Sequence, residues 1–268
     1  MRVLFWNAYQ KSGNDSVLEE LIIENRISLV VLAEYRGDLG ILLQNLQVRG
    51  CYMTSYITIG CNRIHVIGVP MDIRPGVQSR YSSIQIINQQ YVLCCVHLTS
   101  KLSSGAEEYR DIEIRQIVQD ICEQERLLGT EDTIIVGDFN IDPFEAGCVD
   151  ARWFHGVPIY DEAKRGQRTI AGKEFKMFYN PMWNFLGDFS GPYGTYYHNG
   201  SRSNQTYWHI YDQVLFRPGL RDRFVNQSLE ILTKTSSYQL LDSKGHPNKE
   251  YSDHLPIVFE IMEGNYEQ

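Results

Sequence analysis

The chain contains the stretch Thr133-Ile134-Ile135-Val136-Gly137-Asp138-Phe139-Asn140, in which two polar residues follow a run of apolar ones. Such a run, ended by a glycine, predicts a buried strand. An aspartate and an asparagine at the end of a buried strand are costly to remove from water, so packing alone does not explain them. Asp138 and Asn140 are therefore candidates for a chemical site.

The same arrangement recurs near the end of the chain, where Ser252-Asp253-His254 stands just before the apolar run 255–259. Four more polar residues lie at the ends of apolar runs: Asn7, Glu34, His97 and Asp212. Taken singly, each has an ordinary reading, such as a turn for Asn7, an ion pair for Glu34 or a core position for His97. Together they indicate loops that present catalytic groups from a rigid α/β scaffold.

Apolar periodicity predicts the secondary structure around these residues. The predicted helices are residues 12–26, 39–46 and 106–127. The predicted strands are residues 2–6, 29–33, 53–59, 63–69, 81–87, 91–97, 133–136, 213–216, 228–232 and 257–261. Weaker periodicity predicts loops and short elements between Ile141 and Ile210. We expect residues 1–268 to form a single α/β domain, in which two sheets pack face to face with helices outside.

Composition sets limits on the function. The chain has 268 residues and a net charge of -8, which argues against a protein that holds duplex DNA through a wide basic surface. None of the six cysteines has a spacing typical of zinc sites. Their pattern fits a reducing compartment. No apolar stretch is long enough for a membrane span. We therefore expect a cytoplasmic protein. The sequence does not determine the oligomeric state.

The polar set favours a hard cation. Carboxylate and amide oxygens suit Mg²⁺ or Mn²⁺, whereas two separate histidines are too few to indicate zinc. In-line attack of water on a phosphate ester builds negative charge on the phosphate oxygens. A divalent cation with Asn and His donors can stabilise that charge while one carboxylate handles the water.

In their order along the chain, these motifs resemble the metal-dependent endonuclease/exonuclease/phosphatase superfamily. The resemblance spans nearly the whole length and rests on six segments: Trp6-Asn7, Ala33-Glu34, Val96-His97, Gly137-Asp138-Phe139-Asn140, Tyr211-Asp212-Gln213-Val214-Leu215 and Ser252-Asp253-His254-Leu255-Pro256. It implies a four-layered α/β sandwich, with two packed mixed β-sheets flanked by helices. It also implies hydrolysis of a phosphate ester. The inositol phosphatases usually have Arg where this chain has Gln213, so that subclass is less expected.

The resemblance also implies a role for each motif residue. Glu34 would be the principal metal ligand, supported by Asn7 and by Asp253. Asp212 would orient His254 in an acid-base pair. The remaining three residues would act on water and phosphate: Asp138 on the attacking water, Asn140 on a phosphate oxygen, and His97 on a phosphate oxygen or the leaving group.

The segment between the motifs is the candidate for substrate choice. Residues 153–211 hold 15 of the 32 aromatic residues, and among them Trp183 and Tyr196, beside Pro and Gly turn signals, are candidates for a substrate-facing rim. Core packing is the commoner role of such residues. Basic residues that could contact phosphates are Lys164, Arg165, Arg168, Lys173 and Lys176, with Arg110 and Lys101 after His97.

Three functions remain open on these grounds. The first is a magnesium-dependent nuclease acting on DNA or RNA. The second is a phosphatase or phosphodiesterase for a small or lipid phosphate, with which the acidic composition is more compatible. The third is a binding protein that keeps the fold without catalysis, and retention of every motif position makes it the least expected.

Overall fold

The central strands are runs of residues that are buried on both faces. Leu29–Ala33, Tyr91–His97 and Thr133–Asp138 are buried at every position, and Arg2–Asn7 is buried at all but its first residue. Strands covered on both faces carry continuous apolar runs rather than alternating ones. This is why the apolar runs of the sequence predict them.

The computed structural model of the protein describes residues 1–11, 13–101, 106–189, 191–200 and 206–262. Within these residues the strands β1 to β17 are, in chain order, Arg2–Asn7, Leu29–Ala33, Thr54–Tyr56, Ile64–Gly68, Ile73–Gln78, Ser82–Ile87, Tyr91–His97, Thr133–Asp138, Gly156–Val157, Gln167–Ile170, Lys173–Lys176, Phe178–Tyr179, Tyr196–Tyr197, Trp208–His209, Asp212–Phe216, Glu230–Ile231 and Ile257–Glu260. The helices α1 to α5 are Asp15–Glu24, Leu39–Val48, Ala106–Leu128, Ala146–Val149 and Tyr160–Ala163.

The strands form two large mixed sheets and two small hairpin sheets. The six-stranded sheet has the order β16-β17-β1-β2-β4-β3, and the seven-stranded sheet has the order β5-β6-β7-β8-β15-β12-β9. The central pairs β1–β2 and β7–β8 are parallel, whereas β8 and β15 are antiparallel. The hairpins pair β10 with β11 and β13 with β14.

Alternate residues of the seven-stranded sheet face two different cores. Leu93 and Cys95 of β7 join the core that contains the buried residues of β1 and β2. Val92 and Cys94 join a second core with the apolar stripe of α3. Because α1 and α2 contact each other and belong to the first core, the layers are helix, sheet, sheet and helix. The predicted four-layered α/β sandwich is therefore confirmed.

Most predicted elements are confirmed, with small differences at their ends. The predicted strands 53–59 and 228–232 are shorter, at Thr54–Tyr56 and Glu230–Ile231. The first helix begins at Asp15, and its predicted start at Ser12 lies outside the described residues. As predicted, the described residues between 141 and 210 hold only short elements. No helix in the described ranges is long and apolar enough to cross a membrane.

Outside residues 141–210, one strand is not predicted, because its sequence contains two residues that weaken strands. Ile73–Gln78 includes Pro75 and Gly76, and its pairing with β6 shifts register between Pro75 and Gln78. It lies at the edge of its sheet, where a proline costs no interior ladder hydrogen bond. The edge position therefore explains why an unfavourable sequence still forms a strand.

Candidate active site

Strand register brings the polar strand ends to one place. Parallel pairing of β1 with β2 aligns Asn7 with Ala33, the residue before Glu34. In the other sheet, His97 pairs in register with Asp138, and Asp138 with Asp212. Because the two sheets pack face to face, polar groups at these strand ends meet at one edge of the sandwich.

The polar strand ends line a cleft of about 610 Å³. Leaving the basic candidates aside, eight of the residues predicted from sequence line it: Asn7, Glu34, His97, Asp138, Asn140, Tyr196, Asp253 and His254. A ninth, Asp212, is fully buried and contacts His254 from beneath. The sequence therefore predicts most of the polar lining.

His254 and Asp212 form a buried imidazole-carboxylate pair. Nδ1 of His254 lies 2.8 Å from Oδ2 of Asp212, and Nε2 lies 4.0 Å from Oδ2 of Asp138. Burial opposes a positive charge on the ring, but the carboxylates of Asp212 and Asp138 outweigh it and raise the pKa of His254 to about 10. His254 is therefore an imidazolium at neutral pH, and its Nε2–H is left to donate towards the cleft.

Asp138 is held by hydrogen bonds to both of its oxygens. Oδ1 accepts from the backbone N–H of Asn140 at 2.8 Å, and Oδ2 accepts from Nδ2 of Asn7 at 2.9 Å. Burial raises the pKa of Asp138, and the nearby charge of Asp212 raises it further, while the histidines oppose the shift. A fixed carboxylate whose proton affinity is raised is suited to accept a proton.

Glu34 follows β2 of the six-stranded sheet and contacts His97, which ends β7 of the seven-stranded sheet. Oε1 of Glu34 is 3.3 Å from Nε2 of His97, which is also 3.8 Å from Oδ2 of Asp138. The hydrogen bond from His97 lowers the pKa of Glu34 despite partial burial. Glu34 is therefore ionised at neutral pH and available to a cation.

Local backbone geometry fits the residue types found here. Glu34 and Asn140 adopt left-handed conformations, with φ of 54° and 52°, and such conformations in residues other than glycine are often found at functional sites. At Gly137, an added Cβ would overlap the carbonyl oxygen of Val96. The glycine before Asp138 is therefore required by the close approach of β7 to β8.

The segment from Ser252 to His254 is tied to the end of β1. Oγ of Ser252 donates to the carbonyl oxygen of Asn7 at 2.6 Å, and Nε1 of Trp6 donates to the carbonyl oxygen of His254 at 3.0 Å. Asp253 is thereby held at the cleft. Its Oδ1 is buried without a hydrogen-bond partner among the described residues, and burial raises the pKa of this carboxyl.

Two groups of side chains have a donor set that could hold a cation. Asn7, Glu34 and Asp253 offer oxygen atoms, and the buried Oδ1 of Asp253 lacks a hydrogen-bond partner within the described ranges, so this group fits a hard cation. The ligand atoms of Asp138, Asp212 and His254 lie within 4.8 Å of one another. In this second group, however, Nδ1 of His254 already bonds to Asp212. That nitrogen has no lone pair left for a metal.

Four of the basic residues predicted to bind phosphate, Arg110, Lys164, Arg165 and Arg168, do not line the cleft in the described part of the chain. Arg110 is buried, and its guanidinium donates to the carbonyl oxygen of Thr99 at 3.1 Å. Lys164 pairs with Asp161 at 2.7 Å, and Arg168 pairs with Glu162 at 2.8 Å. Neither these three nor the exposed Arg165 is among the described residues that line the cleft. These placements correct the prediction, because nearby acids or a backbone carbonyl engage three of the four.

The two aromatic candidates differ in position. The ring of Tyr196 lines the cleft, with its centroid 4.8 Å from that of His254, and burial raises its pKa to about 12. Trp183 instead packs edge-on against Phe144 at 6.5 Å, and it is not among the described residues that line the cleft. Packing therefore explains Trp183, whereas Tyr196 can contact a ligand.

Sequence reasoning missed several residues of the lining. Arg63, His209 and Tyr211 belong to it, whereas Lys101, which also lines the cleft, is a predicted candidate alongside Arg110. His209 precedes Asp212 by three residues, so the strand-end pattern could have drawn attention to it. Arg63 lies in a loop before β4 and carries no comparable signal.

Comparison with models of known protein families gives no match, and comparison with curated proteins gives none either. Among solved structures, the chain is similar to a 3′-5′ exonuclease from Neisseria meningitidis, with TM-score 0.56, 15% identity, and 98% of this chain and 100% of that chain covered. It is similar to a 3′ phosphatase from Neisseria bound to a product DNA hairpin, with TM-score 0.57, 14% identity, and 97% and 99% covered. It is also similar to an AP endonuclease from Archaeoglobus fulgidus, with TM-score 0.57, 11% identity, and 97% and 99% covered. The chain therefore has the fold of the endonuclease/exonuclease/phosphatase proteins.

Proposed function

We propose that the protein is a divalent-metal-dependent phosphoesterase that acts as a nuclease on DNA or RNA. The observation that carries the proposal is the position of Asp138 between two imidazoles, with Oδ2 3.8 Å from Nε2 of His97 and 4.0 Å from Nε2 of His254. A carboxylate in this position can take a proton from water, while donors beside it stabilise negative charge on a phosphate. The fold shared with nucleases and a phosphatase supports the same chemistry.

The proposed cofactor is Mg²⁺ or Mn²⁺, held by Glu34 with Asn7 and Asp253. Ionised Glu34 supports this choice, as does Oδ1 of Asp253, which accepts no hydrogen bond within the described residues. When bound, the cation would draw electron density from a phosphate oxygen and lower the energy of the transition state. The group Asp138, Asp212 and His254 is better suited to proton handling, because Nδ1 of His254 donates to Asp212.

The remaining residues would bind and orient the phosphate. Nδ2 of Asn140 donates one hydrogen to the carbonyl oxygen of Leu98 at 3.0 Å, which leaves its second hydrogen for a phosphate oxygen. The Nε2–H of His254 would donate to another oxygen. His97, which contacts both Glu34 and Asp138, would donate to a phosphate oxygen or assist the leaving group.

Activity on a panel of substrates tests this function. With Mg²⁺, the purified protein is expected to cleave single-stranded DNA, duplex DNA or RNA, and EDTA is expected to abolish cleavage until Mg²⁺ is restored in excess. Turnover of small phosphate esters alone would favour the phosphatase reading, with which the net charge of -8 is compatible. No turnover with either Mg²⁺ or Mn²⁺ would leave the catalytically silent binding protein.

Arg63 is the basic residue that we expect to contact a nucleic-acid strand. It lines the cleft, its guanidinium lies 4.9 Å from the centroid of the Tyr81 ring, and it forms no ion pair within the described part of the chain. Loss of one phosphate contact is expected to weaken strand binding by roughly 10-fold and to reduce the salt slope of log K by about 1.

Arg168→Ala is the matched control for Arg63→Ala, because Arg168 pairs with Glu162 at 2.8 Å. Titration of both variants with a fluorescent single strand at several salt concentrations measures the difference. Equal weakening in the two variants would contradict a specific role for Arg63.

We further propose that residues 1–268 form one domain and that the protein works in the cytoplasm. Packing of β1 and β2 with strands of the other sheet in one continuous core supports a single domain. The six cysteines are all free, which supports a reducing compartment.

A further inference from the structure

A second buried imidazole-carboxylate pair lies beside the site. Nδ1 of His209 is 2.7 Å from Oδ2 of Asp142, whose Oδ1 accepts from the backbone N–H of Ile210 at 2.8 Å. Both side chains are almost fully buried. The carboxylate thus fixes the ring through one nitrogen, in the way that Asp212 fixes His254.

His209 differs from an ordinary core histidine because it lines the cleft. With Nδ1 bonded to Asp142, Nε2 is the nitrogen that remains for a ligand. Asp142 already holds the strand through the N–H of Ile210, so anchoring of the backbone does not require an imidazole at the cleft wall. Anchoring of the backbone therefore does not explain why a histidine stands at this position.

A second donor group lies on the same tyrosine ring as His209. The ring of His209 stacks on Tyr211 with centroids 4.6 Å apart, and Nζ of Lys101 lies 5.0 Å from the Tyr211 centroid. Lys101 forms an ion pair with Glu145, and an ammonium group retains two further N–H donors after one such bond. The acidic residues beside His209 and Lys101 already have partners, because Asp142 bonds to His209 and Glu145 pairs with Lys101.

His209, Asp142 and Lys101 lie on a different wall of the cleft from Glu34, the principal ligand of the proposed metal. Asp142 follows β8 of the seven-stranded sheet, whereas Glu34 follows β2 of the six-stranded sheet. A phosphate between Glu34 and Asp138 would therefore leave His209 and Lys101 free to contact the next part of the substrate.

We infer that His209, held by Asp142, and Lys101 form a subsite for a second phosphate group, beside the phosphate that is cleaved. The inference rests on the proposed function and specifies its substrate as one that carries at least two phosphates. With a phosphate against Nε2, the two ring nitrogens of His209 would donate one to Asp142 and one to that group, and the ammonium of Lys101 would donate to it as well. The second phosphate belongs either to the next linkage of a strand or to a small bisphosphate.

Two substitutions at His209 separate the role of Nε2 from that of Nδ1. In His209→Asn the amide nitrogen takes the place of Nδ1 and keeps the bond to Asp142, but nothing replaces Nε2. In His209→Gln the amide nitrogen reaches the place of Nε2. Lys101→Met tests the second donor at a site where a change of fold is least expected.

Binding is measured by calorimetry with Mg²⁺ in an Asp138→Asn background, so that no ligand is consumed. One pair of probes is thymidylyl-thymidine with and without a 5′-phosphate, and the other is 1,3-propanediol bisphosphate against propyl phosphate. In at least one pair, the second phosphate is expected to strengthen binding by about 10-fold. The pair that shows the gain identifies the source of the second phosphate.

His209→Asn and Lys101→Met are expected to remove this gain while binding of the single-phosphate probe changes by less than about 2-fold, and His209→Gln is expected to keep part of the gain. The subsite is refuted if neither pair shows a gain, if the gain survives His209→Asn, or if both members of a pair weaken equally. A gain that depends on His209 in a protein whose wild type hydrolyses no phosphate ester would support the subsite and reject the proposed function.

Discussion

Asp138→Asn is expected to lower kcat by at least about 10³-fold and, at the same time, to raise the melting temperature. The loss of rate follows from the loss of the proton acceptor. The amide side chain would keep the size of the carboxylate and can still accept from the N–H of Asn140, a bond that measures 2.8 Å in the wild type. The substitution therefore removes the carboxylate, together with the 2.9 Å bond from Nδ2 of Asn7, while it keeps the size of the side chain.

The gain in stability follows from the sign of the pKa shift. Burial, followed by the charge of Asp212, raises the pKa of Asp138 in the folded protein, which means that the fold disfavours its ionised form. Holding the charge in this setting therefore costs stability that the uncharged amide does not cost. An inactive variant that is more stable than the wild type is the signature of a catalytic group held in an unfavourable setting.

Rate assays with the best substrate of the panel and thermal unfolding in EDTA measure the two effects. Asp161→Asn is the control, because that carboxylate is exposed and pairs only with Lys164. Asp138→Asn with a rate within 10-fold of wild type would refute the assignment of Asp138 as the acceptor. A lower melting temperature would instead indicate that its hydrogen bonds outweigh the cost of its charge.

The sequence predicts the strand-end residues well because burial and register carry that information. Asn7 and Glu34 follow apolar runs that are buried on both faces, and in-register pairing then aligns His97 with Asp138 and Asp138 with Asp212. A polar residue that follows such a run lies at the end of its strand, which is the edge of the sheet where the cleft forms.

The basic residues were predicted poorly because a local charge count ignores nearby partners. The segment 164–176 carries an excess of positive charge, but Asp161 and Glu162 precede it and pair with Lys164 and Arg168. For Arg63 the error is the opposite one, because this residue lines the cleft but is not among the predicted basic residues. It reaches the cleft because the N–H of Glu34 donates to its carbonyl oxygen at 3.2 Å, and no pattern near residue 63 encodes that tertiary contact.

The aromatic residues were predicted with mixed success, because turn signals in the sequence do not determine the direction of a side chain. Trp183 lies in a 3₁₀ turn capped by Asn180 and packs on Phe144, whereas Tyr196 lies in β13 and its ring faces His254. The same composition thus supplied one packing residue and one residue of the cleft.

The stabilising effect of His254 is expected to be full below about pH 6.5, the ordinary pKa of histidine in an unfolded chain, and to decline as the pH rises towards the folded pKa of about 10. The direction follows from linkage, because the folded protein binds the proton more tightly than the unfolded chain does. Between these limits the unfolded chain loses the proton while the native imidazolium keeps it beside Asp212 and Asp138.

The measurement compares wild type with His254→Gln by chemical denaturation in EDTA, from about pH 6 to about pH 9.5. The difference between their free energies of unfolding is expected to shrink steadily over this range. Burial also raises the pKa of Cys94, Cys95 and Cys148, so both proteins lose stability once thiols of the unfolded chain ionise. This common loss cancels in the difference, which isolates His254.

Asp212→Asn provides the decisive control, because Asp212 supplies the charge nearest to the ring, 2.8 Å from Nδ1. In the Asp212→Asn background the same comparison is expected to give a smaller difference at every pH and a weaker slope. A difference between wild type and His254→Gln that stays constant with pH would mean that the fold does not raise the pKa of His254. Water activation would then rest on Asp138 alone, without an adjacent imidazolium to stabilise the phosphate.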